Sequence, residues 1–78
     1  MDRVNQRTNH LLGKNIRRLR IENNLRNKDV VAQLQLRGLK ITTGIYSKVE
    51  GGWNNPSVDM LIALTEIFSC DFNAFFKE

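Results

Sequence analysis

The sequence predicts an all-α protein, a compact bundle of about five short helices. Apolar residues recur at helical spacing in several separate stretches, and no strand pattern, internal repeat or low-complexity tract is present. Between these stretches lie residue types that begin or end helices, chiefly Asn, Thr, Ser, Asp, Gly and Pro. The chain has 78 residues, of which 41% are hydrophobic, enough for one modest core and too few for two. We therefore expect a single domain.

Helix 1 is predicted by apolar residues at the i, i+4 and i+7 positions of one helix face. Thr8 or Asn9 is its expected cap, and it should end near Asn23, because asparagine tolerates the left-handed conformation that closes a helix. The polar residues 1–8 are expected to form a flexible N-terminal arm. The folded domain would then comprise residues 9–78.

Helix 2 is predicted to start near Asn27, with Asn24 or Asn27 as its cap. Its helical spacing can persist for about a turn beyond Leu34, and Gly38 is the expected break before the next helix.

Two further helices are predicted near the C-terminus. Pro56-Ser57 supplies a proline followed by a good N-cap, and the residues after it form helix 4 with a wide apolar face. Asp71 can cap a final turn or two. The large apolar side chains of this last segment are Phe72, Phe75 and Phe76.

Helix 3 is predicted within residues 41–56, ITTGIYSKVEGGWNNP, from a cap at Thr42 to Glu50, with Gly51-Gly52 as the stop. Its expected apolar side consists of Ile45, Tyr46 and Val49. The opposite side carries small or basic residues that suit contact with a polyanion: Thr43, Gly44, Ser47 and Lys48.

Charge is distributed unevenly along the chain. Residues 1–48 hold eleven Lys and Arg against three Asp and Glu, a net charge of +8. Residues 49–78 hold one against five, a net charge of −4. Cations placed near phosphates release condensed counterions, so this polarity favours a nucleic-acid partner. An ordinary solvated basic face is the alternative interpretation.

Composition argues against several other classes. One cysteine, Cys70, and one histidine, His10, provide neither an internal disulfide nor a multi-histidine metal site, so we expect no metal and no cofactor. No arrangement of catalytic residues is credible, so the protein is not expected to be an enzyme or to bind a small molecule. The sequence also lacks a membrane span and a signal-peptide core, which favours a cytoplasmic location.

Together, the stretches LGKNIRRLRIENNLRNKDVVAQL and ITTGIYSKVEGGWNNPSVDMLIALTEIFSCDFNAFF resemble the lambda-repressor-like, Cro/cI-type helix-turn-helix family, also called the XRE family. The resemblance covers about residues 12–76, nearly the whole chain. Its most specific parts are residues 16–20, residues 46–50 and residues 52–57, in that order and spacing. The resemblance implies a sequence-specific DNA-binding transcriptional regulator, expected to be a repressor.

In this family helix 3 lies in the major groove, where each base pair presents a distinct pattern of donors and acceptors. The resemblance places four residues of this chain opposite the bases: Thr43, Gly44, Ser47 and Lys48. Because Gly44 has no side chain, direct readout would be sparse. Part of the specificity would then come from the deformability of the DNA or from contact of the Thr43 methyl group with a thymine methyl group.

The resemblance also implies contacts with the phosphates of double-stranded DNA, from helices 1 and 2 and from the loop after helix 3. The residues are Arg17, Arg26, Asn27, Lys28, Trp53, Asn54 and Asn55. Trp53 has two open interpretations, a phosphate contact through its indole N–H or a lid folded back on the core.

Arg20 and Glu50 match a family ion pair that joins helix 1 to the end of helix 3. This chain departs from the family in the connection between helices 2 and 3, which is about five residues longer than the usual turn. The change is harmless if helix 2 is merely longer and the chain returns through Gly38 to Thr42. Val31 also occupies a position where the family generally has alanine.

The phenylalanine-rich C-terminus has two interpretations. It can close the bottom of the core, or Phe72, Phe75 and Phe76 can be dimer contacts, since such DNA readers commonly pair over two half-sites. A protein-interaction module, such as an antitoxin or antagonist that uses this end on a partner, is the alternative function.

Overall fold

The computed structural model describes residues 10–78, in which four α-helices and one 3-10 helix form a bundle without strands. The helices are α1 (Leu11–Glu22), α2 (Asn27–Leu36), α3 (Thr43–Glu50), α4 (Val58–Phe68) and the C-terminal 3-10 helix (Phe72–Phe76). The predicted fold class is therefore confirmed. The arm predicted over residues 1–8 lies outside the described residues. None of the helices described has the length and apolar character needed to cross a membrane.

A single core is shared by all five helices. α1 packs against α3 and the 3-10 helix, and α2 packs against α3 and α4. The core residues come from every element, because each helix turns one apolar face inward. They are Leu12, Ile16, Leu19, Val30, Val31, Leu34, Ile41, Tyr46, Val49, Met60, Leu61, Ala63, Leu64, Phe68 and Phe75.

All four α-helices end in the same hydrogen-bonded motif. At the end of α3, the Gly52 N–H donates to the Val49 carbonyl at 3.1 Å and the Trp53 N–H donates to the Lys48 carbonyl at 2.8 Å. This pairing satisfies carbonyls that the helix leaves open, and it requires one residue in the left-handed conformation. The residues that take this conformation are Asn24, Gly38, Gly52 and Ser69.

The helix starts confirm three predicted caps and correct two others. Thr42, Ser57 and Asp71 cap α3, α4 and the 3-10 helix, each accepting a backbone N–H. α1 instead begins after His10, which makes no side-chain cap bond, so the expected cap at Thr8 or Asn9 is wrong by one or two residues.

α2 is capped differently from the prediction, because Arg26 rather than Asn24 or Asn27 occupies the cap position. The Arg26 backbone N–H donates to the Asp29 carboxylate at 2.9 Å. This bond, supported by the Arg26 side chain, lowers the pKa of Asp29. The carboxylate thus replaces a capping side chain at this end.

The connection between α2 and α3 is enlarged without disturbing the start of α3. α2 extends to Leu36, and Gly38 reverses the chain with φ of 88°. The Gln35 side-chain amide then donates to the Ile41 carbonyl at 2.9 Å, and Ile41 is buried in the core. The extra residues are therefore absorbed by a longer helix and a tethered loop that returns to Thr42.

The 3-10 helix is held against α1 by polar contacts that the sequence did not predict. Buried Asn15 donates through its side-chain amide to the Phe75 and Lys77 carbonyls, both at 2.8 Å. Arg18 donates to the Ala74 carbonyl at 3.3 Å and pairs with Glu22 at 3.1 Å. These bonds hold the C-terminal segment against α1.

Ser69→Gly is expected to stabilise the protein by about 0.5–1 kcal/mol, because glycine relieves the cost of a side chain in the left-handed conformation. Thermal unfolding would show a rise of about 4–8 °C per kcal/mol for a domain of this size. Asn24→Gly is the matched control and should gain less, because asparagine tolerates this conformation better than serine. A melting temperature for Ser69→Gly at or below that of the unmodified protein would contradict the prediction.

Candidate nucleic-acid interface

α3 presents two different faces, as its sequence predicts. Tyr46 and Val49 are buried in the core, so the prediction that Tyr46 packs internally is confirmed. Ile45 was expected on the same apolar side, but it is 45% exposed and is not part of the core. The four residues predicted to face the bases are all exposed on the surface: Thr43, Gly44, Ser47 and Lys48.

The end of α3 is joined to α1 by a two-point ion pair. Arg20 donates to Glu50 from Nε at 2.7 Å and from Nη2 at 3.1 Å, as the sequence predicts for this pair. The remaining Nη1 of Arg20 donates to the Leu25 carbonyl at 3.0 Å. Both side chains are largely buried, with 15% exposure for Arg20 and 7% for Glu50. A planar guanidinium that bonds a carboxylate at two points fixes both distance and direction between the helices.

The phenol of Tyr46 lies beside this ion pair. The ring is fully buried, and burial raises the pKa of Tyr46, with a further contribution from Glu50. Its hydroxyl makes no hydrogen bond of normal geometry in the structure, although it is close enough to feel the charge of Glu50. Tyr46 therefore supports the pair mainly by excluding water from it.

A second contact joins α2 to α3 on the exposed side. The Asn27 side-chain amide N–H donates to the Ser47 hydroxyl oxygen at 2.7 Å. The sequence predicted Asn27 as a phosphate contact and Ser47 as a base contact, but it gave no sign that the two side chains meet. The carbonyl oxygen of the same amide, Oδ1, is buried and has no hydrogen-bond partner.

Two of the predicted phosphate contacts, Arg17 of α1 and Asn27 of α2, line one cleft, and Arg26 and Lys28 flank Asn27 in the chain. Arg17, Asn27, Ser47 and Gly51 contribute to its walls, together with the Arg20–Glu50 pair. Arg17 and Lys28 are exposed and have no ion-pair partner among the described residues. Arg26 is also exposed, although it pairs with Asp29 at 3.3 Å. This cationic rim beside α3 is suited to the phosphate backbone of a nucleic acid.

Trp53 lies in the open at the end of α3. Its side chain is 84% exposed, so the interpretation of Trp53 as a lid on the core is wrong. The indole instead lies over Gly51, where an added Cβ would be 3.1 Å from its Cδ1. The residues in the equivalent position after the other three helices all pack partly against the core: Leu25, Leu39 and Cys70. Trp53 is therefore the exception among the four helix ends, an exposed aromatic next to α3.

The rest of this loop is held in place. The Asn54 N–H donates to the Lys48 carbonyl at 3.2 Å, and Asn54 and Asn55 are both half-buried. On the other side, the His10 ring packs so closely on Gly52 that an added Cβ would be 2.0 Å from Nδ1. The start of α1 thereby contacts the end of α3, and the loop is fixed relative to the cleft.

The phenylalanine cluster is divided between the core and the surface. Phe75 is fully buried, so its assignment as a dimer contact is wrong. Its ring fills the space between α1 and α4 at the base of the core. Phe72 is 45% exposed and Phe76 is 49% exposed, and the Phe72 ring meets the Phe75 ring edge to face at 6.3 Å. Of these three phenylalanines, only Phe72 and Phe76 have exposed ring surface that a partner could contact.

No protein-family model, curated protein or solved structure matches this chain.

Arg20→Ala is expected to lower the free energy of unfolding by about 1–3 kcal/mol, because Glu50 and the Leu25 carbonyl lose their donors. Chemical denaturation monitored by circular dichroism would measure this loss. Arg17→Ala removes the same charge from an exposed arginine of the same helix and should change stability by less than about 0.5 kcal/mol. Equal stability of the two variants would show that the ion pair does not support the fold.

Proposed function

We propose that this protein is a sequence-specific DNA-binding transcriptional regulator that acts as a repressor, with α3 lying in the major groove of double-stranded DNA. The observation that carries the proposal is the outward face of α3. This face consists of four exposed residues, none of which belongs to the core: Thr43, Gly44, Ser47 and Lys48. Three of them have side chains that can form hydrogen bonds, and Gly44 leaves the backbone accessible.

The dimensions of α3 support this mode of binding. An α-helix fits into the major groove of B-DNA, and eight residues span about 12 Å along the helix axis. Thr43 and Ser47 are four residues apart and therefore lie on one side of the helix. Both can bond base edges, whereas Lys48 can reach a guanine or a phosphate.

The charge around α3 supports contact with phosphates. Exposed Arg17 lines the cleft next to α3, and exposed Arg26 and Lys28 flank Asn27, which contacts α3 through Ser47. Trp53, at the end of α3, adds an indole N–H donor. Backbone contacts of this kind fix the position of a protein on the duplex, while base contacts supply sequence preference. Asn27 can offer a phosphate one N–H, because the other N–H of its amide is already bonded to Ser47.

Repression would follow from occupancy of an operator that excludes polymerase. The resemblance to Cro/cI-type proteins suggests this mechanism. A cytoplasmic location and a homodimer that covers two half-sites belong to the same proposal. If the protein does self-associate, Phe72 and Phe76 are the candidate contacts at the C-terminal end, whereas Phe75 is not.

A protein-interaction module, such as an antitoxin or antagonist, is the second candidate function. The observation that favours it is the exposure of Phe72 and Phe76, whose rings are large enough to anchor a partner. An apolar interface of this kind should be nearly insensitive to salt, unlike binding to phosphates.

Selection from randomised DNA duplexes tests the leading function. We expect the protein to enrich a defined sequence, and Lys48→Ala and Thr43→Ala each to lose base preference at a restricted set of positions, because each removes one side chain from the groove-facing side. Arg20→Ala should weaken binding to the selected duplex without altering which bases are preferred, because it displaces α3 as a unit. Failure to enrich any sequence would reject the proposed function.

Salt dependence tests the phosphate contacts separately. Arg17→Ala should weaken binding to all duplexes and reduce the slope of log affinity against log salt by about one. Lys77→Ala is the matched control, since it removes the same charge from the C-terminal segment and should leave the slope nearly unchanged. Equal slopes for the two variants would contradict the assignment of Arg17 to the phosphates.

A further inference from the structure

The contact between Asn27 and Ser47 has a direction, and that direction bears on what Ser47 can read. The amide N–H of Asn27 is the donor, at 2.7 Å, and the Ser47 hydroxyl oxygen is the acceptor. Among the described residues Ser47 has no other side-chain hydrogen bond, and it is exposed on the outer face of α3. Its own O–H proton therefore remains available to a ligand.

The buried end of the Asn27 amide explains why this direction is favoured over its reverse. In the observed orientation one carbonyl oxygen, Oδ1, is buried without a partner. The reversed amide would bury the NH2 group there instead and leave two donors unsatisfied rather than one acceptor. Because each unsatisfied buried group carries a desolvation cost, the observed orientation is the less costly of the two.

A hydroxyl that accepts one hydrogen bond is polarised toward donating its own proton. If Ser47 met an amino group of a base, that proton would be left without a partner in the groove. If it met a carbonyl oxygen or a ring nitrogen, the proton would be satisfied. The pairing with Asn27 thus biases Ser47 toward acceptors.

We propose that Asn27 is a positioning residue that fixes Ser47 as a hydrogen-bond donor to DNA, so that Ser47 selects a base with a major-groove acceptor and disfavours cytosine. Guanine offers O6 and N7, thymine offers O4 and adenine offers N7, whereas cytosine presents only an amino group in the major groove. This inference rests on the proposed function, because it assumes that α3 lies in the major groove. The exposure of Ser47 alone does not predict which bases Ser47 prefers, whereas its hydrogen bond with Asn27 does.

Thr43 provides an internal comparison. It lies one turn before Ser47 on the same side of α3, is exposed, and has no side-chain hydrogen bond among the described residues. Its hydroxyl is free to donate or accept. A change at Asn27 should therefore alter the preference that depends on Ser47 and leave the preference that depends on Thr43 unchanged.

Asn27→Asp reverses the hydrogen bond with little change in shape. An ionised carboxylate only accepts, so Ser47 must donate its proton to it and can offer only lone pairs to DNA. Arg17 and Arg20 line the same cleft and favour the ionised form of the new carboxyl. We expect selection from randomised duplexes to disfavour cytosine by about three- to tenfold at the Ser47 position with the unmodified protein. With Asn27→Asp we expect cytosine and adenine to be favoured there over guanine and thymine by a similar factor, because only these two bases present an amino group.

Three further variants make the result specific. Ser47→Ala identifies the position at issue, because its base preference there should disappear. Lys28→Gln makes the same net charge change as Asn27→Asp without contacting Ser47, and should weaken binding while every base preference remains. Asn27→Ala removes the donor to Ser47, so the base position that Ser47 reads should accept all four bases more evenly. This variant replaces Asn27→Asp in the test if circular dichroism shows that Asn27→Asp does not fold.

The outcomes separate this inference from the proposed function. A switch at the Ser47 position alone, with the Thr43 position unchanged, supports the inference. An unchanged preference in both Asn27 variants, with the unmodified protein still enriching a sequence, overturns the inference and leaves the proposed function standing. No enrichment by the unmodified protein overturns both.

Discussion

The bidentate pair between Arg20 and Glu50 is the interaction on which the arrangement of the outer surface depends. α3 is only eight residues long, too short to be stable by itself, and therefore needs neighbours to hold it at one angle. Arg20 holds α3 by donating hydrogen bonds to Glu50 and to the Leu25 carbonyl. These bonds join the end of α3 to α1 and to the loop between α1 and α2. Tyr46 keeps water from the pair, so directional bonds and apolar packing act at the same place. The pair contributes more to geometry than to net stability, because desolvation cancels much of the attraction.

The helix ends explain why an aromatic ring and several polar and cationic side chains are exposed on one side of this small protein. Each α-helix stops in the same motif, and three of the residues that follow it return to the core. Trp53 does not return, and its side chain lies over Gly51 instead. The same turn receives His10 from the start of α1. An exposed indole, a cationic rim and the outer face of α3 consequently lie next to one another, which is the combination that a polyanion would recognise.

Polar contacts inside the fold divide into two kinds with different consequences. Asn15 is buried and donates to two carbonyls of the C-terminal segment, so its role is satisfied within the protein. Asn27 is at the surface of the cleft, donates to Ser47, and leaves one oxygen without a partner. A buried polar group without a hydrogen-bond partner is uncommon in a folded core and is more typical of a functional site. The Asn27 amide therefore belongs to the candidate interface, whereas the Asn15 amide belongs to the interior of the fold.

The sequence by itself determined the local features of this protein. Helix positions, the caps at Thr42 and Ser57, the glycine stops and the two faces of α3 follow from spacing and from residue type, because these are set by neighbours within a few positions. The tertiary structure decided which apolar side chains remain outside and which polar ones meet. Phe75 is buried whereas Phe72 and Phe76 are exposed, and Asn15 reaches a carbonyl 60 residues away, because contacts of that range depend on how whole helices pack. The approach of Asn27 to Ser47 is decided in the same way, by the packing of α2 on α3 rather than by any pattern in either helix.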